Sequence, residues 1–472
     1  MNKLEKFLEN KNKRTFALVV VLLVGLGLRM YRLDAHGVWL DEQTSIFIAS
    51  GQDQDLGLET FSKQDFVKTY SLIKTISNSL SISSGNAILY NSVMAIWSKA
   101  FGYSDFSVRI LSVIFSILSI FVFYFLCKEI FKEHTPVLIC CVLLMTAPLA
   151  IRYAQEARTY SFTLLLTLCS SLFFFRAAKN NDVIYALLFG LFFCLSFLGH
   201  YLAIGAFIIF PVFAIMQKTQ LKVYLFALVP IFIGSLALFL FIGEEILEIN
   251  QKSENLQSQN QSFAMPYNIQ NGMAGNFQIT LHYLGSFFQN TGVQIRYMLW
   301  YPLVLLSVPI LFHKKLQENN LFVFILLALS HYFIINVLGL FSGHIVSFQP
   351  LYSIFCFPFF IILIVKLYSP IMFTKKHLTI ALVSLYITIQ TISLFIIYHK
   401  DTRSENAHIA IAQKIDKQKK TFSVTFSSWK DAHLLNLHLK NSTVIQHVDT
   451  TQEAGIVLQK IDGKEIRHII IQ

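Results

Sequence analysis

The sequence predicts an all-α, polytopic membrane protein with about eleven transmembrane helices and a small C-terminal α/β domain outside the membrane. Composition is the first reason: 54% of the 472 residues are hydrophobic, 14% are charged and 45 are Phe. The mean hydropathy is +0.56. A single soluble core cannot hide this much apolar surface. The second reason is a series of apolar runs near the length of roughly 20 residues that a membrane-spanning helix needs.

The expected spans cover residues 15–33, 106–126, 136–151, 161–177, 183–199, 202–217, 223–243, 297–312, 321–341, 351–368 and 378–398. The N-terminus is basic and leads into the first run, as in a signal peptide. No small-residue cleavage site follows that run, so we interpret it as a retained first span.

Basic residues set the expected orientation. The net charge is +11, and Lys and Arg recur in every second short loop. This is the positive-inside pattern, which explains the charge better than nucleic-acid binding does. With a cytoplasmic N-terminus, these basic loops are cytoplasmic: Lys128/Lys132, Arg176/Lys179, Lys218/Lys222, Lys314/Lys315 and Lys375/Lys376. We therefore expect a multi-pass protein of the plasma (inner) membrane, with its long polar stretches and its C-terminus outside.

The domain boundaries follow from this topology. Residues 1–398 form the expected transmembrane catalytic domain, whose first outer loop is 34–105. One segment in that loop, Ala87–Phe101, is apolar enough to imitate another span, which would reverse the orientation of everything after it. It is short and interrupted by polar residues, so we interpret it as an amphipathic helix on the outer face.

The tail, residues 399–472, changes character. Thr421–Phe426 and Ile466–Ile471 have strand patterns, whereas Ala407–Ile415 and Asp431–Leu439 have helical ones. Together they predict the small outer α/β domain. The six Cys residues lie in or beside apolar runs without metal-ligand spacing, and we interpret them as packing residues.

Two constellations could carry chemistry. The first is Trp39-Leu-Asp41-Glu42, just outside the first span. Its plain interpretation is a helix N-terminus with acids in the first turn and an interfacial Trp. Its functional interpretation is a general base or a metal ligand beside the lipid headgroups.

The second constellation runs from Arg152 to Tyr160 at the outer end of the third span and includes Gln155, Glu156 and Arg158. Charges packed between apolar helices are costly and usually functional, and an Arg fork suits a phosphate. The alternative is an Arg–Glu pair that caps a helix hairpin. We expect Arg152, the Gln155-Glu156 pair and Tyr160 to share one helix face.

Weaker candidates lie on the same side. His200 and Tyr201 follow the fifth span, and His344 lies in the last outer loop. Asn86 and Tyr90 open the amphipathic segment, where they could contact a headgroup. A lone His is more often structural than functional.

These residues also carry a family likeness. The order W-x-D-E-x-x-S, then L-Y…W-x-K-x-F-G-x-S-x-F-x-x-R-x-x-S, then Q-E-A-R-T-Y resembles family 39 glycosyltransferases of the GT-C superfamily. That group includes protein O-mannosyltransferases and the lipid A aminoarabinose transferase. The likeness covers about Arg29 to Ala178. It departs from the family at Asn86, where relatives have His-Pro-Pro, and at Pro350-Leu-Tyr352, where they have Pro-Arg-Tyr.

The resemblance implies a GT-C fold with juxtamembrane helices in the first outer loop. It also implies a polyprenyl-phosphate sugar donor, undecaprenyl phosphate in bacteria, and a glycolipid, glycan or protein acceptor. By position, Asp41 matches the family's catalytic carboxylate, Glu156 the acid of the second outer loop, and Arg158 the Arg beside it.

The expected mechanism is a single displacement that inverts the sugar. Asp41 would take the acceptor proton with support from Glu42, while Arg158 and Arg152 would neutralise the leaving phosphate, with Tyr160 nearby. A divalent metal, Mg²⁺ or Mn²⁺, on Asp41 and Glu156 is compatible with the sequence but not required by it. The competing hypotheses are a transporter or flippase of a lipid-linked sugar, which predicts inverted repeats and broken helices, and an inactive relative.

Overall fold

The computed structural model describes residues 2–34, 37–51, 71–83, 85–207, 220–234, 236 and 354–374, helical positions between 377 and 394, and four short strands in the tail. The helices are α1 (Asn2–Glu9), α2 (Lys11–Met30), α3 (Leu40–Ser50), α4 (Leu72–Ser83), α5 (Ile88–Phe101), α6 (Asp105–Ile130), α7 (His134–Thr146), α8 (Pro148–Ala154), α9 (Tyr160–Asn180), α10 (Val183–Gly199), α11 (Leu221–Gly234) and α12 (Phe357–Thr374). A 3₁₀ turn, Tyr201–Ala206, follows α10.

Several of these helices are apolar enough for a bilayer. Among the described residues, α6 and α9 are long and apolar enough to cross it, and α7 and α8 together form a third, bent candidate. Shorter apolar helices include α10, α11 and residues Phe357–Ser369 of α12. The chain is therefore an integral membrane protein. The number eleven stays a prediction, because the spans expected at 297–312 and 321–341 lie outside the described residues.

The tail contains two small two-stranded sheets. In one, β1 (Val424–Phe426) pairs in parallel with β2 (Ile445–His447). In the other, β3 (Ile456–Ile461) pairs antiparallel with β4 (Lys464–Ile469), with Ile456 opposite Ile469. Both segments predicted as strands thus overlap a strand. The α/β domain itself stays a prediction, because its two expected helices lie outside the described residues.

The described elements fall into two compact units. The first contains α1, α2, α6 from Ser112 onward, α7, α8 and α9–α12. The second contains the segment from Arg32 through α5, the start of α6, the turn Glu156–Arg158 and the tail strands.

Helix α2 runs parallel to α7 in the first unit. At one end the Arg14 guanidinium lies 2.7 Å from His134 Nε2. At the other end Arg29 donates to the Met145 carbonyl at 3.0 Å. Because like ends meet, the two helices run in the same direction.

The third expected span is not continuous, which corrects the prediction for 136–151. Helix α7 ends at Thr146, α8 begins at Pro148, and the two axes differ by 54°. Proline lacks an N–H and clashes with the preceding turn, so it breaks an α-helix in this way. The sequence carried this signal at Pro148, within an otherwise apolar run.

Helices α9 and α10 form a tight antiparallel hairpin. Asn181 adopts a left-handed conformation (φ 52°) at the turn, and Asp182 caps α10 by accepting from the N–H groups of Ile184 and Tyr185. At the far end a Cβ on Gly199 would lie only 2.5 Å from Thr163 Oγ1. Glycine at this position therefore lets the two helices approach closely.

The second unit is built from short helices. Gly51 ends α3 with φ 65°, and a Cβ there would lie 2.8 Å from the Ser71 carbonyl oxygen. The side chains of Thr75 and Tyr103 both donate to the Ala49 carbonyl at 3.3 Å, which satisfies the end of α3. Helix α5 has 14 residues. Its length of about 21 Å is less than the roughly 30 Å hydrocarbon core, which supports an interfacial role over a spanning one.

Candidate functional site

The Glu42 carboxylate is the centre of a buried hydrogen-bond network in the second unit. Its Oε1 accepts from Arg109 Nε at 2.9 Å and from the Ala157 backbone N–H at 2.7 Å. Its Oε2 accepts from Arg109 Nη2 at 2.7 Å and from the Trp39 N–H at 3.3 Å. Because Glu42 is 0% exposed and accepts four bonds, it is a structural hub with little freedom to contact another group.

Arg109 supplies the matching positive charge. Its guanidinium makes a two-point contact with Glu42 and also donates to the carbonyls of Leu33 (3.0 Å) and Gly37 (2.9 Å). A bidentate Arg–carboxylate pair with further bonds is the geometry in which a buried pair is well compensated. The pair therefore fixes the loop before α3 and the start of α6 to one another.

Asp41 differs from Glu42 in exposure. Both lie in the first turn of α3, as the helix-start interpretation predicted. The Asp41 side chain is 40% exposed, and its Oδ2 lies 3.7 Å from Arg158 Nη2. Asp41 is thus the acidic residue of this pair that a solvent-borne group can reach.

Arg158 is anchored beside Asp41. Its Nη1 donates to the Asp41 backbone carbonyl and to Ser45 Oγ, both at 2.9 Å. The side chain is 20% exposed, so part of the guanidinium is open while the rest is held. This arrangement presents a carboxylate and a guanidinium side by side.

The segment after α8 is a turn, which corrects the expectation that Arg152, the Gln155-Glu156 pair and Tyr160 share one helix face. Residues 155–159 are non-helical, α8 ends at Ala154, and α9 begins at Tyr160. The Ala157 N–H therefore needs a partner outside a helix, and Glu42 provides it. Glu156 itself is buried, at 1% exposure.

Five of the predicted site residues that the structure describes lie in the first unit: Arg152, Gln155, Tyr160, His200 and Tyr201. Gln155 Nε2 donates to the backbone carbonyls of Arg29 (3.0 Å) and Tyr31 (2.8 Å). The buried Tyr160 ring lies 5.8 Å from the His200 ring, between centroids. Arg152 is half-buried, with its guanidinium 5.8 Å from the Tyr153 ring.

His200 is held by its own neighbourhood. Its Nδ1 accepts from the Leu202 N–H at 3.2 Å, and its ring lies 5.4 Å from Phe355. The Tyr201 ring packs 5.0 Å from Phe197. These contacts are what a structural His and Tyr make, so site roles for both stay predictions.

Two of the remaining candidates, Tyr90 and Asn86, lie in the second unit. Tyr90 is fully buried in α5, and Asn86 is half-buried in the turn before it, where its carbonyl accepts from Ser83 Oγ at 2.8 Å. His344 lies outside the described residues. A phosphate-binding role for these three stays a prediction.

A metal centre has no support from the part of the chain that the structure describes. There, no group of three or more His, Cys, Asp or Glu side chains is placed to hold an ion. The six Cys are free thiols. Mg²⁺ or Mn²⁺ on Asp41 and Glu156 therefore stays a hypothesis from residue chemistry.

Sequence reasoning missed two arginines. Arg109 is not among the residues that the sequence predicts for the site, and Arg29 marks only the start of the family likeness, yet both are almost fully buried and multiply bonded. The available signal was a lone Arg inside an apolar run, which is costly unless it is paired. The Glu42 partner of Arg109 lies 67 positions away and the Met145 partner of Arg29 lies 116 positions away, beyond the reach of local patterns.

Comparisons with known proteins agree with this architecture. The family model "Dolichyl-phosphate-mannose-protein mannosyltransferase" matches residues 86–243. The crystal structure of ArnT from Cupriavidus metallidurans in the apo state matches with a TM-score of 0.57 and 10% identity, over 90% of this chain and 85% of that one. The same protein bound to undecaprenyl phosphate gives a TM-score of 0.54 and 10% identity, over 89% and 85%. No curated protein sequence matches the chain.

The family match includes Arg109, Glu156 and Arg158 but not Asp41 or Glu42. At 10% identity, the solved structures speak for the fold alone. The fold and the partial family match together confirm the resemblance seen in the sequence. The chain has the fold of the ArnT structures, and its residues 86–243 match the mannosyltransferase family model.

Proposed function

We propose that this protein is a glycosyltransferase that moves a sugar from a polyprenyl-phosphate donor to a hydroxyl-bearing acceptor on the outer face of the membrane. The single observation that carries the proposal is the half-exposed Asp41 carboxylate 3.7 Å from the partly exposed Arg158 guanidinium. One group is suited to accept a proton and the other to bind a phosphate. The GT-C fold and the ArnT structure with undecaprenyl phosphate support this donor class.

The chemistry is a single displacement. The acceptor oxygen forms a bond to the anomeric carbon while the bond from that carbon to the phosphate oxygen breaks. The acceptor proton goes to Asp41, and the polyprenyl phosphate leaves with the bonding electron pair. Attack opposite the leaving group inverts the anomeric centre.

Glu42 serves this reaction as a positioning residue. Its four accepted hydrogen bonds leave it no open lone pair directed at a substrate, whereas Asp41 makes few contacts. Glu42 binds the Ala157 N–H directly between Glu156 and Arg158, so it sets the position of the Arg158 turn. This agrees with the expectation from the sequence, in which Asp41 takes the acceptor proton and Glu42 supports it.

Arg158 and Asp41 can be tested separately. We expect Arg158→Ala to raise the donor KM by about 10- to 100-fold, because a charge-assisted phosphate contact is lost. We expect Asp41→Asn to lower kcat with little change in donor KM. The assay uses purified protein in liposomes with labelled undecaprenyl-phosphate mannose or undecaprenyl-phosphate aminoarabinose. An Arg158→Ala protein with unchanged donor dependence would remove the phosphate role.

A transporter of a lipid-linked sugar is the second candidate, and the break between α7 and α8 is the observation that favours it. Transporters use broken helices to present free backbone groups to a solute. Here Arg29 already binds the carbonyls at the break, which favours a structural kink. Flux of labelled lipid-linked sugar across liposomes, without formation of a new glycosidic bond, would support transport instead.

A further inference from the structure

Arg29 is a fully buried cation at the C-terminal end of α2 in the first unit. Its Nε donates to Ser116 Oγ at 2.7 Å, and its Nη1 donates to its own helix at the Gly25 carbonyl at 3.1 Å. Nη1 also donates to the Met145 carbonyl at 3.0 Å, and Nη2 reaches the Leu144 carbonyl at 3.5 Å. One side chain therefore connects α2, α6 and the last turn of α7.

The Leu144 and Met145 carbonyls lie at the point where α7 breaks. Pro148 has no N–H, so Leu144 lacks its helical donor, and the Ala147 N–H reaches it only at 3.4 Å. A buried carbonyl without a donor is unfavourable. The guanidinium supplies donors, and its charge is favoured at a helix C-terminus by the helix dipole.

Gln155 makes the complementary contact. Its amide Nε2 donates to the Arg29 and Tyr31 carbonyls, which are at the C-terminal end of α2. Each of the two segments thus caps the other: Arg29 on α2 caps α7, and Gln155 after α8 caps α2. We call these two contacts the reciprocal cap.

Close approach of α2 and α7 is also built into the sequence. A Cβ on Gly25 would lie 3.1 Å from Met145 Cγ and 3.3 Å from Ile120 Cδ1. A glycine here lets the Arg29 guanidinium reach across to α7. The reciprocal cap therefore has a dedicated small residue on the same helix, one turn before Arg29.

The reciprocal cap lies next in the chain to the segments that contain the candidate site residues. Tyr31 lies at the end of α2, after which the chain runs to Asp41 and Glu42. Gln155 directly precedes Glu156 and the Arg158 turn. The reciprocal cap thus holds the 54° bend between α7 and α8 one residue before that turn begins.

We propose that Arg29 and Gln155 are positioning residues, which hold the broken α7–α8 helix at its bend and the end of α2 beside it, at the two chain positions from which the segments with Asp41 and Arg158 continue. The effect on catalysis rests on the proposed function, whereas the effect on the backbone does not. Neither side chain needs to contact the donor or the acceptor.

The experiment compares Arg29→Ala, Arg29→Lys, Gln155→Ala and the double variant Arg29→Ala/Gln155→Ala in liposomes. With either labelled undecaprenyl-phosphate sugar, Arg29→Ala should lower kcat by at least about tenfold and leave donor KM within about twofold. Arg29→Lys keeps the charge and some donors, so it should recover kcat to within about threefold of wild type. The kcat of the double variant should be little lower than that of the more impaired single variant, because both substitutions disrupt the same reciprocal cap.

The second readout is independent of transfer. Amide hydrogen exchange in residues 147–158 should rise by about tenfold in Arg29→Ala and Gln155→Ala. The matched control is Glu129→Gln, which removes a carboxylate partner of Arg176 and should leave exchange in 147–158 unchanged. If Arg29→Ala does not fold, Gln155→Ala and Arg29→Lys decide the question.

Three results would overturn the proposal. They are unchanged amide hydrogen exchange in residues 147–158, losses of kcat that multiply in the double variant, or a raised donor KM at constant kcat. The last would make Arg29 a donor-binding residue. If the wild-type protein transfers no sugar, the proposed function fails, while the exchange measurement still tests the reciprocal cap.

Discussion

Replacing Glu42 with Gln tests the buried network most severely. The carboxylate accepts hydrogen bonds from Arg109 at both oxygens, from Ala157 N–H and from Trp39 N–H. A Gln side chain has one acceptor oxygen, and its NH₂ group would face donors at the other position. Whichever way the amide turns, two of the four bonds are lost and Arg109 keeps a buried charge without its counter-ion.

The size of the loss follows from burial. Both side chains of the Glu42–Arg109 pair are at most 1% exposed. Removing one partner of a buried ion pair costs about 3–5 kcal/mol, which corresponds to a fall in Tm on the order of 5 °C for a protein of this size. We also expect kcat to fall by at least about tenfold, because Ala157 and the Arg158 turn lose their anchor.

The chain offers a matched control for this substitution. Glu129 also accepts from two cations, Arg176 at 3.0 Å and Lys179 at 3.4 Å, but the Lys179 side chain is 64% exposed. Glu129→Gln should therefore cost no more than about 1 kcal/mol. Thermal unfolding of the detergent-solubilised proteins, followed by tryptophan fluorescence, compares the two variants under the same conditions.

A double variant separates the effect of an unpaired Arg109 charge from the effect of the changed side-chain shape. Glu42→Gln/Arg109→Met removes both charges, so it should be more stable than Glu42→Gln alone. Unfolding of Glu42→Gln at the wild-type temperature would show that the Glu42–Arg109 pair does not stabilise the fold. A double variant whose Tm falls by the sum of the two single changes would show that the two side chains act independently.

Two further predictions concern stability. Burial raises the pKa of Glu5, but hydrogen bonds from Thr135 and His134 outweigh it and leave the pKa below its ordinary value of 4.5. Since the folded pKa is the lower one, this contribution to stability is present above pH 4.5 and is lost as the pH falls through the folded value. Glu5→Gln should therefore flatten the acid side of a Tm-against-pH curve; an identical curve would exclude the contact. Gly199→Ala should lower Tm, because the new Cβ meets Thr163 Oγ1 at 2.5 Å, and a second change, Thr163→Ala, should restore part of the loss. A Gly199→Ala protein as stable as wild type would show that the hairpin is not close-packed there.

The membrane-spanning helices could be predicted from the sequence because their signal is local. Helix α10 occupies the expected residues 183–199, and α6 and α9 extend the expected spans by a few residues at their ends. The break after Thr146 was missed because an apolar run was given more weight than Pro148 within it. Arg29, a residue more than 100 positions earlier, donates a hydrogen bond to the Met145 carbonyl at this break.

The candidate site could be predicted in part. The sequence predicts Asp41, Glu42 and Arg158 as site residues because charged residues beside apolar spans are rare. The partners and the exposure of Asp41 and Glu42 could not be predicted from the sequence, since the two residues are adjacent and chemically alike. What separates them is tertiary: Glu42 meets Arg109, while Asp41 remains 40% exposed beside Arg158.

The most direct test of the central claim follows the donor during a single turnover. Purified protein in liposomes receives labelled undecaprenyl-phosphate mannose or undecaprenyl-phosphate aminoarabinose with membrane glycolipid as acceptor, and free undecaprenyl phosphate and transferred sugar are quantified together. Wild-type protein should form equal amounts of both products, and Asp41→Asn should react about 10²- to 10⁴-fold more slowly, because its amide cannot take the acceptor proton. Transfer by Asp41→Asn at the wild-type rate would exclude Asp41 as the proton acceptor.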